Sequence, residues 1–161
     1  MSTVTTYAPG AKVRYGYAKG PAQVAALVVA ILLIVIGVLG FIPGVTTHLG
    51  EITFAGPWSG AHIFNVFQTS VLRNAVWIFF GLVGLGAPTI RLGSTLYMVA
   101  MAGLSMTLWL YDLLFGQHGF PGNIFSSNIP DFALDFCLGA AFAITALATS
   151  QIALMGSDFE E

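Results

Sequence analysis

Charge is scarce in this chain. Only 7% of its 161 residues are Asp, Glu, Lys or Arg, and 57% are hydrophobic, whereas roughly a quarter of an ordinary globular domain is charged. So little charge cannot cover the surface of a water-soluble domain. Lys and Arg together number five, so the sequence also lacks the basic patch that a nucleic-acid partner requires.

Cysteine and catalytic motifs are scarce as well. Cys137 is the single cysteine, which excludes an intramolecular disulfide and C-x-x-C dithiol chemistry. Its place inside an apolar run predicts a small buried hydrophobe. The sequence has no G-x-S-x-G motif and no Walker loop. The residues that nucleophilic hydrolysis requires are therefore not recognisable in it. We therefore expect that the chain is not an enzyme.

Histidine occurs three times, but never deep in an apolar segment. His48, His62 and His118 fall in loops or at a helix start, without H-E-x-x-H spacing. Two haem-ligating histidines facing each other inside a bundle are therefore not available. A metal site with Glu51 or Asp112 could be assembled, but nothing in the spacing requires it. We expect neither a metal nor another cofactor.

Four long apolar segments stand out against these absences. The first, PAQVAALVVAILLIVIGVLGFI at residues 21–42, contains no charge. A helix of about 20 residues crosses a hydrocarbon core of roughly 30 Å. We predict an all-α fold, an integral membrane four-helix bundle, with spans at about 21–42, 63–87, 92–115 and 131–153.

The second span has the least clear start, because Arg73 and Asn74 interrupt its apolar run. Apolar residues upstream recur at steps of three and four, which is typical of one helical face. They are Ile63, Phe64, Phe67, Val71 and Leu72. The pattern predicts a helix from about Ser59, whose first turns lie at the membrane interface.

The cations predict the orientation of the chain. Three of them precede the first span and Arg91 follows the second, while the loops 43–62 and 116–130 contain no Lys or Arg. Under the positive-inside rule both termini are cytoplasmic and both long loops face outward. The N-terminal cations are Lys12, Arg14 and Lys19. We expect a multi-pass plasma-membrane protein.

The chain then has one transmembrane domain at residues 21–155. An N-terminal cytoplasmic tail at residues 1–20 precedes it. A short cytoplasmic tail at 156–161 follows it, and the acidic residues of this tail are Asp158, Glu160 and Glu161.

A small set of polar residues falls in the outer halves of the spans. The candidates are Arg73, Asn74, Asp112, Asp131 and Asp135. Arg73 stands roughly 22 Å above the inner boundary, and Asp135 lies one helical turn deeper than Asp131, close to that level. Because an isolated charge at such a depth is costly, we predict that Arg73 pairs with Asp135. The pair is either an interhelical contact that fixes register or part of an outward ligand site or proton path.

Glycines in the first two spans permit close helix contact. These glycines contribute either to packing inside the bundle or to the contact face of a homodimer. They are Gly37, Gly40, Gly44, Gly81 and Gly84.

Several motifs resemble one family of bacterial membrane proteins. They are GFIPGVTT at 40–47, the Phe67-Gln68-x-Ser70-Val71-Leu72 stretch, WLYDLL at 109–114 and the segment 128–139. Over about residues 24–150 the chain resembles the small four-span proteins of domain of unknown function 4383, common in actinobacteria. The resemblance implies the four-span fold and brings no assigned activity.

The resemblance also implies a His-Asn-x-x-His pattern in the second span and a histidine in the fourth. Arg73-Asn74-Ala75-Val76-Trp77 and Asp135 stand at those places here. Only Asn74 carries over, and Arg, Trp and Asp cannot bind haem or a soft metal as imidazoles would. The exchange keeps an interhelical contact while removing a titration near pH ~6.5, which favours a structural role.

These patterns favour a non-enzymatic membrane protein that is a structural or accessory component of a larger membrane assembly. Its expected partners are the lipid bilayer and a membrane protein or further copies of itself. Aromatic residues in the two long loops could anchor such a partner; they are Phe54, Trp58, Phe120 and Phe125. The alternative is a small-ligand or proton-handling protein with an outward-facing polar pocket.

Overall fold

The computed structural model describes residues 17–18, 20–116 and 119–157, with side chains up to residue 149. Most of the predicted N-terminal tail, His118 and the acidic residues at 158–161 lie outside these ranges. The four helices are α1 Pro21–Leu39, α2 Val71–Gly84, α3 Arg91–Phe115 and α4 Ile129–Ser157.

All four helices are long and apolar enough to cross a membrane. This confirms the all-α, four-helix membrane bundle as the fold class and makes the chain a multi-pass membrane protein. The second candidate span adds a 3₁₀ turn at Ala87–Thr89 to α2, and the fourth runs from Ile129 to Thr149. α3 begins at Arg91 and ends at Phe115, within one residue of the prediction.

The first helix ends at Leu39 rather than near residue 42. The hydroxyl of Thr46 donates to the Leu39 carbonyl at 2.8 Å, so a carbonyl of the last turn finds a partner outside the helix. The chain then turns through Pro43 and Gly44, and Gly44 has a φ of 90°. A non-glycine residue would be strained at that angle.

The predicted upstream extension of the second span, to residue 63 and beyond, is wrong. α2 begins at Val71, and its N-cap Ser70 accepts a hydrogen bond from the Arg73 amide at 3.3 Å. Upstream, Phe64 and Asn65 have left-handed φ angles of 51° and 59°, which a right-handed helix does not contain. The apolar spacing there serves a hairpin instead, so periodicity alone does not distinguish the two structures.

Three two-residue strands precede α2 and form a small antiparallel sheet. They are β1 Thr46–Thr47, β2 His62–Ile63 and β3 Phe67–Gln68. Thr46 pairs with Ile63, which pairs in turn with Phe67 on its other side. Ile63 is buried, whereas Phe64 at the hairpin tip is 61% exposed.

The segment with the sheet, residues 43–70, packs against the second long loop, residues 119–128. The Gly56 amide donates to the Ile124 carbonyl at 2.8 Å, and the Ser126 hydroxyl donates to the Gly56 carbonyl at 2.5 Å. We call these two segments together the cap. The cap covers the end of the bundle at which α2 and α4 begin.

The helices pack as two pairs, α1 with α2 and α3 with α4. Their shared core includes the fully buried Leu33, Met98 and Met101, with Trp77 and Phe142 beside them. Many large apolar side chains point away from this core. Such an outward apolar surface suits contact with lipid tails, where association depends on packing rather than on the hydrophobic effect.

Glycine lets α1 and α2 approach closely inside the bundle. A Cβ atom on Gly37 would lie 2.6 Å from the Asn74 carbonyl oxygen, and one on Gly81 would lie 2.8 Å from the Ala30 carbonyl oxygen. A Cβ atom on Gly40 would overlap the Asn74 side chain. Packing within one chain therefore accounts for these glycines without a homodimer face.

Cys137 is exposed on α4, so the expectation of a buried cysteine is wrong. Asp135 points into the bundle and is 0% exposed. Since each residue turns the helix by about 100°, a position two residues further on lies on the opposite face. Cys137 therefore faces the surroundings of the bundle.

Candidate functional site

The candidate site is a buried cluster around Arg73, in the first turn of α2. The N-cap residue Ser70 fixes the position of this turn. The Arg73 side chain enters the bundle just beneath the two loop segments of the cap. Arg73 is 5% exposed and the neighbouring Asn74 is 0% exposed. A guanidinium at this depth requires anionic or polar partners.

The predicted pair of Arg73 and Asp135 is present in the structure. Arg73 Nη2 lies 2.8 Å from Asp135 Oδ2, and Arg73 Nη1 donates to the Ser127 hydroxyl at 2.8 Å. Two further carboxyl groups are close, with Asp131 Oδ1 at 3.5 Å and Asp112 Oδ2 at 3.7 Å from the guanidinium. One side chain of α2 thus contacts α3, α4 and the cap.

The start of α4 aims Asp131 and Asp135 at Arg73. The Asn128 side chain accepts from the Asp131 amide at 3.1 Å, and Asp131 Oδ2 accepts from the Asn128 amide at 3.0 Å. This reciprocal arrangement is a capping box that fixes where the helix begins. Asn128 Nδ2 also donates to the Val66 carbonyl at 2.8 Å, which ties α4 to the hairpin of the cap.

Asn74 lies beside the cluster, at the contact of α1 with α2. Its Oδ1 accepts from the Thr69 hydroxyl at 2.5 Å, and its side chain occupies the space that Gly40 leaves open. Asn74 Nδ2 has no hydrogen-bond partner among the described residues. Asn74, Arg73 and Asp131 contribute to the wall of a cavity of about 150 Å³ between α1, α2, α4 and the hairpin. Asn74 is thus a tightly fitted packing residue with one free donor.

The carboxyl groups outnumber the cations that the described residues bring to the cluster. Arg73 faces three aspartates, so full ionisation would leave two negative charges in excess. Among the described residues no N–H or hydroxyl group donates to either carboxylate oxygen of Asp112 or to Oδ1 of Asp135, but these two carboxyl groups lie within hydrogen-bonding reach of each other. Asp112 and Asp135 therefore contact each other as well as the guanidinium, which connects α3 to α4 inside the cluster.

A larger groove lies beside the cluster, where α3 ends and α4 begins. Its volume is about 610 Å³, within the usual range of ligand pockets. The described residues of its wall are Asp112, Leu113, Gly116, Asn128, Ile129, Pro130 and Phe132. The wall is mainly apolar, and the carboxylate oxygens of Asp112 are buried behind it.

Sequence reasoning missed the hydroxyl partner of the arginine. Ser127 bonds to Arg73 and is held in turn by Asn123, whose Oδ1 accepts from the Ser127 amide at 2.8 Å. No periodic signal marks either residue in the loop. The capping box could have been found, because Asn at the N-cap followed three residues later by an acidic residue is a helix-start signal.

The histidines do not join this cluster within the described residues. The ring of His62 contacts the Gly60 carbonyl at 2.9 Å, and His48 lies in the cap with a left-handed φ of 51°. Across the described ranges, no group of three His, Cys, Asp or Glu side chains is placed to hold a metal ion. The absence of a metal or cofactor stays a prediction, because His118 lies outside those ranges.

Fold and site together define a class: a multi-pass helical membrane protein whose helices converge on a buried arginine–carboxylate cluster. Residues 23–148 match the family model described as "Domain of unknown function (DUF4383)". The match covers most of the chain, and the protein therefore belongs to this family. No curated protein and no solved structure matches it.

Proposed function

We propose that the protein is a non-enzymatic structural or accessory component of a larger assembly in the plasma membrane. One observation supports this most: the Arg73 guanidinium is engaged by α3, α4 and the cap of its own chain, through Asp112, Asp131, Asp135 and Ser127. A buried, multiply bonded arginine fixes helix register. Such an arginine suits a structural role better than a catalytic one, because a catalytic side chain must be free to contact a substrate.

The cap supplies the surface for association in this proposal. Phe54 is 71% exposed and Trp58 is 69% exposed, and aromatic side chains are enriched where binding energy concentrates. Phe64 belongs with them and was missed by sequence reasoning, while Phe120 is 44% exposed. Phe125 does not belong to this surface, because its ring packs on Tyr111 at a centroid distance of 5.4 Å and against the core.

The proposed topology has both termini on the cytoplasmic side and the cap outside. The support is the distribution of cations: Arg91 starts α3 at the end of the bundle opposite the cap, and residues 43–70 of the cap contain no Lys or Arg. Positive residues stay cytoplasmic. A reporter enzyme inserted after residue 57 should be active only outside the cell, and activity in the cytoplasm would contradict the topology.

Association through the cap can be tested with the full chain in a mild detergent. Native mass spectrometry of the wild type should show a stoichiometric complex with a membrane protein or with further copies of the chain. Phe54→Ser combined with Trp58→Ser should dissociate it. Phe79→Ser is the matched control, since Phe79 is 59% exposed but lies on α2, away from the cap.

Two outcomes would contradict this proposal. A wild-type chain that is monomeric under these conditions would argue against an accessory role. A complex that the Phe79 control dissociates and the cap variant leaves intact would place the contact on the lipid-facing helices instead.

A small-ligand or proton-handling role is the second candidate function. The observation that favours it is the excess of carboxyl groups, since three aspartates surround one guanidinium and Asp112 lies within hydrogen-bonding reach of Asp135. Closely spaced carboxyl groups inside a membrane domain are the kind of group through which protons are relayed.

A further inference from the structure

We propose that Asp112 and Asp135 form a proton-binding pair, in which one proton lies between the two carboxyl groups while the protein is folded. This inference rests on the second candidate function and deepens it, because it names the ligand as a proton and the two residues that hold it. The other members of the cluster, Arg73 and Asp131, keep their charges in this arrangement.

The first step is an inventory of the donors around the pair. Arg73 Nη2 donates to Asp135 Oδ2 at 2.8 Å, which leaves Asp135 Oδ1 for another partner. Arg73 Nη1 donates to Ser127 and lies 3.7 Å from Asp112 Oδ2, a distance too long for a hydrogen bond. Among the described residues, no N–H or hydroxyl group donates to Asp135 Oδ1 or to either oxygen of Asp112.

The second step is the contact between the two carboxyl groups, which lie within hydrogen-bonding reach of each other. An ionised carboxylate only accepts hydrogen bonds, whereas a protonated carboxyl group has an O–H donor. Two ionised carboxylates sharing a buried site repel each other, and a single shared proton removes this repulsion. The O–H of Asp112 therefore donates to Asp135 Oδ1, since the guanidinium already compensates the charge of Asp135.

The third step concerns the other charged groups that face the pair. Asp131 accepts from the Asn128 amide at 3.0 Å and lies 3.5 Å from the guanidinium, so it has partners as an anion. It also lies in the first turn of α4, where the helix dipole favours a negative charge. Apart from Arg73, neither α1 nor α2 has a titratable side chain between its first and last residue. One proton on the pair thus leaves a single excess negative charge in the cluster instead of two.

The surroundings of the pair determine the end of the bundle at which it exchanges its proton. The cluster lies beneath the cap, with the groove of about 610 Å³ beside it. Towards the opposite end of the bundle, the core is filled by the buried side chains of Leu108, Met101 and Met98, which have no group that relays a proton. The pair therefore exchanges its proton at the cap end and forms no route across the bundle.

Infrared spectroscopy of the full chain, in a detergent without ester or acid groups, detects this proton through the carbonyl stretching band of a protonated carboxyl group. Carboxyl groups in water are ionised at neutral pH, because their ordinary pKa values are about 4, and they do not contribute to the band. The wild type should show the band at neutral pH. Asp112→Asn should remove it, because the new amide donates to Asp135 instead. Glu51→Gln changes an exposed acid in the cap and should leave the band unchanged.

The pH dependence of unfolding is a second readout, which a contact without a bound proton would not change. If the folded chain holds one proton more than the unfolded chain, each rise of one pH unit increases the unfolding equilibrium constant about tenfold. The folded state therefore loses stability as the pH rises. Across neutral pH, the increase per pH unit should be about tenfold greater in the wild type than in Asp112→Asn.

Absence of the band from the folded wild type at neutral pH would overturn the proposed pair, and this result does not depend on the folding of any variant. A band that survives Asp112→Asn but is lost in Asp131→Asn would leave the proton-handling function standing and show that the pair is wrong. If the band is absent and the pH dependence of unfolding is the same in the wild type and both variants, the pair and the proton-handling function are both wrong.

Discussion

Replacing Arg73 by Met is expected to destabilise the bundle more than replacing Asp135 by Leu, although each change breaks the same contact of 2.8 Å. The two variants leave different surroundings behind. Without Arg73, the three aspartates, all at least 95% buried, face one another with no cation between them. Without Asp135, the guanidinium still has Asp131 and Asp112 nearby and its bond to Ser127.

The contacts that remain in each variant determine how much unfolding free energy it loses. Removing one partner of a buried ion pair typically costs about 3–5 kcal/mol, because an uncompensated charge is left in a dry interior, and we expect Arg73→Met to fall in that range. Asp135→Leu loses one charge-assisted hydrogen bond but keeps two carboxyl groups near the arginine, so about 1.5–3 kcal/mol is expected. The double variant should cost less than the two single losses together, by about 1–3 kcal/mol.

Equilibrium unfolding of the detergent-solubilised chain, followed by far-ultraviolet circular dichroism, measures these free energies. The three variants and the wild type form a double-mutant cycle, in which the coupling term isolates the pair. A charge-swapped variant, Arg73→Asp with Asp135→Arg, should be more stable than either of its single components. Additive losses, or a larger loss for Asp135→Leu than for Arg73→Met, would refute the reasoning.

Three further predictions concern single residues. Gly40→Ala should lower the unfolding free energy by about 1–3 kcal/mol, because the new methyl group overlaps the Asn74 side chain. Gly103 has open space around it, so Gly103→Ala should be neutral or stabilising by about 0.5–1 kcal/mol. Equal effects at the two sites would contradict the close contact of Gly40 with Asn74. Asn128→Ala should lower the unfolding free energy by about 1 kcal/mol, because α4 loses its N-cap hydrogen bond. An unchanged unfolding midpoint would argue against the capping box. Cys137 should react with the small, apolar N-ethylmaleimide in the folded, detergent-solubilised protein, since it faces outward on α4, and a thiol that reacts only after unfolding would contradict that outward orientation.

Hydropathy and length were sufficient to predict the bundle because a lipid environment permits few alternatives. A segment that crosses the hydrocarbon must satisfy its backbone internally, so an uncharged run of this length becomes a helix. This reasoning placed α3 to within one residue and α1 at its start. It also brought Arg73 and Asp135 to one level, since helical rise converts sequence position into depth.

The same reasoning failed where the chain leaves the hydrocarbon. Residues 63–72 have the spacing of a helical face, yet the cap folds 62–68 as a hairpin, because water-exposed backbone can pair between strands as readily as within a helix. The decisive signals were local. They were the N-cap residue Ser70 and the left-handed backbone angles of Phe64 and Asn65. Only the N-cap could be predicted from the sequence, because serine is a preferred N-cap residue.

The partners of the cluster that come from the cap could not be predicted from spacing. Ser127 reaches Arg73 because Asn123 holds the loop and Ser126 bonds to Gly56 in the other half of the cap. The contact of Ser126 with Gly56 joins segments 70 residues apart, and no periodicity marks either it or the local bond between Asn123 and Ser127. Charge pairing inside the bundle is predictable in outline, whereas the hydroxyl groups that complete it depend on the loop fold.

Four apolar helices hold this chain in a bilayer. Extraction of membranes containing the untagged chain with alkaline carbonate tests it most directly, because this treatment releases peripheral proteins and leaves integral ones in the pellet. The four candidate spans predict that the chain stays entirely in the membrane pellet. Recovery of the chain in the aqueous supernatant would contradict the account.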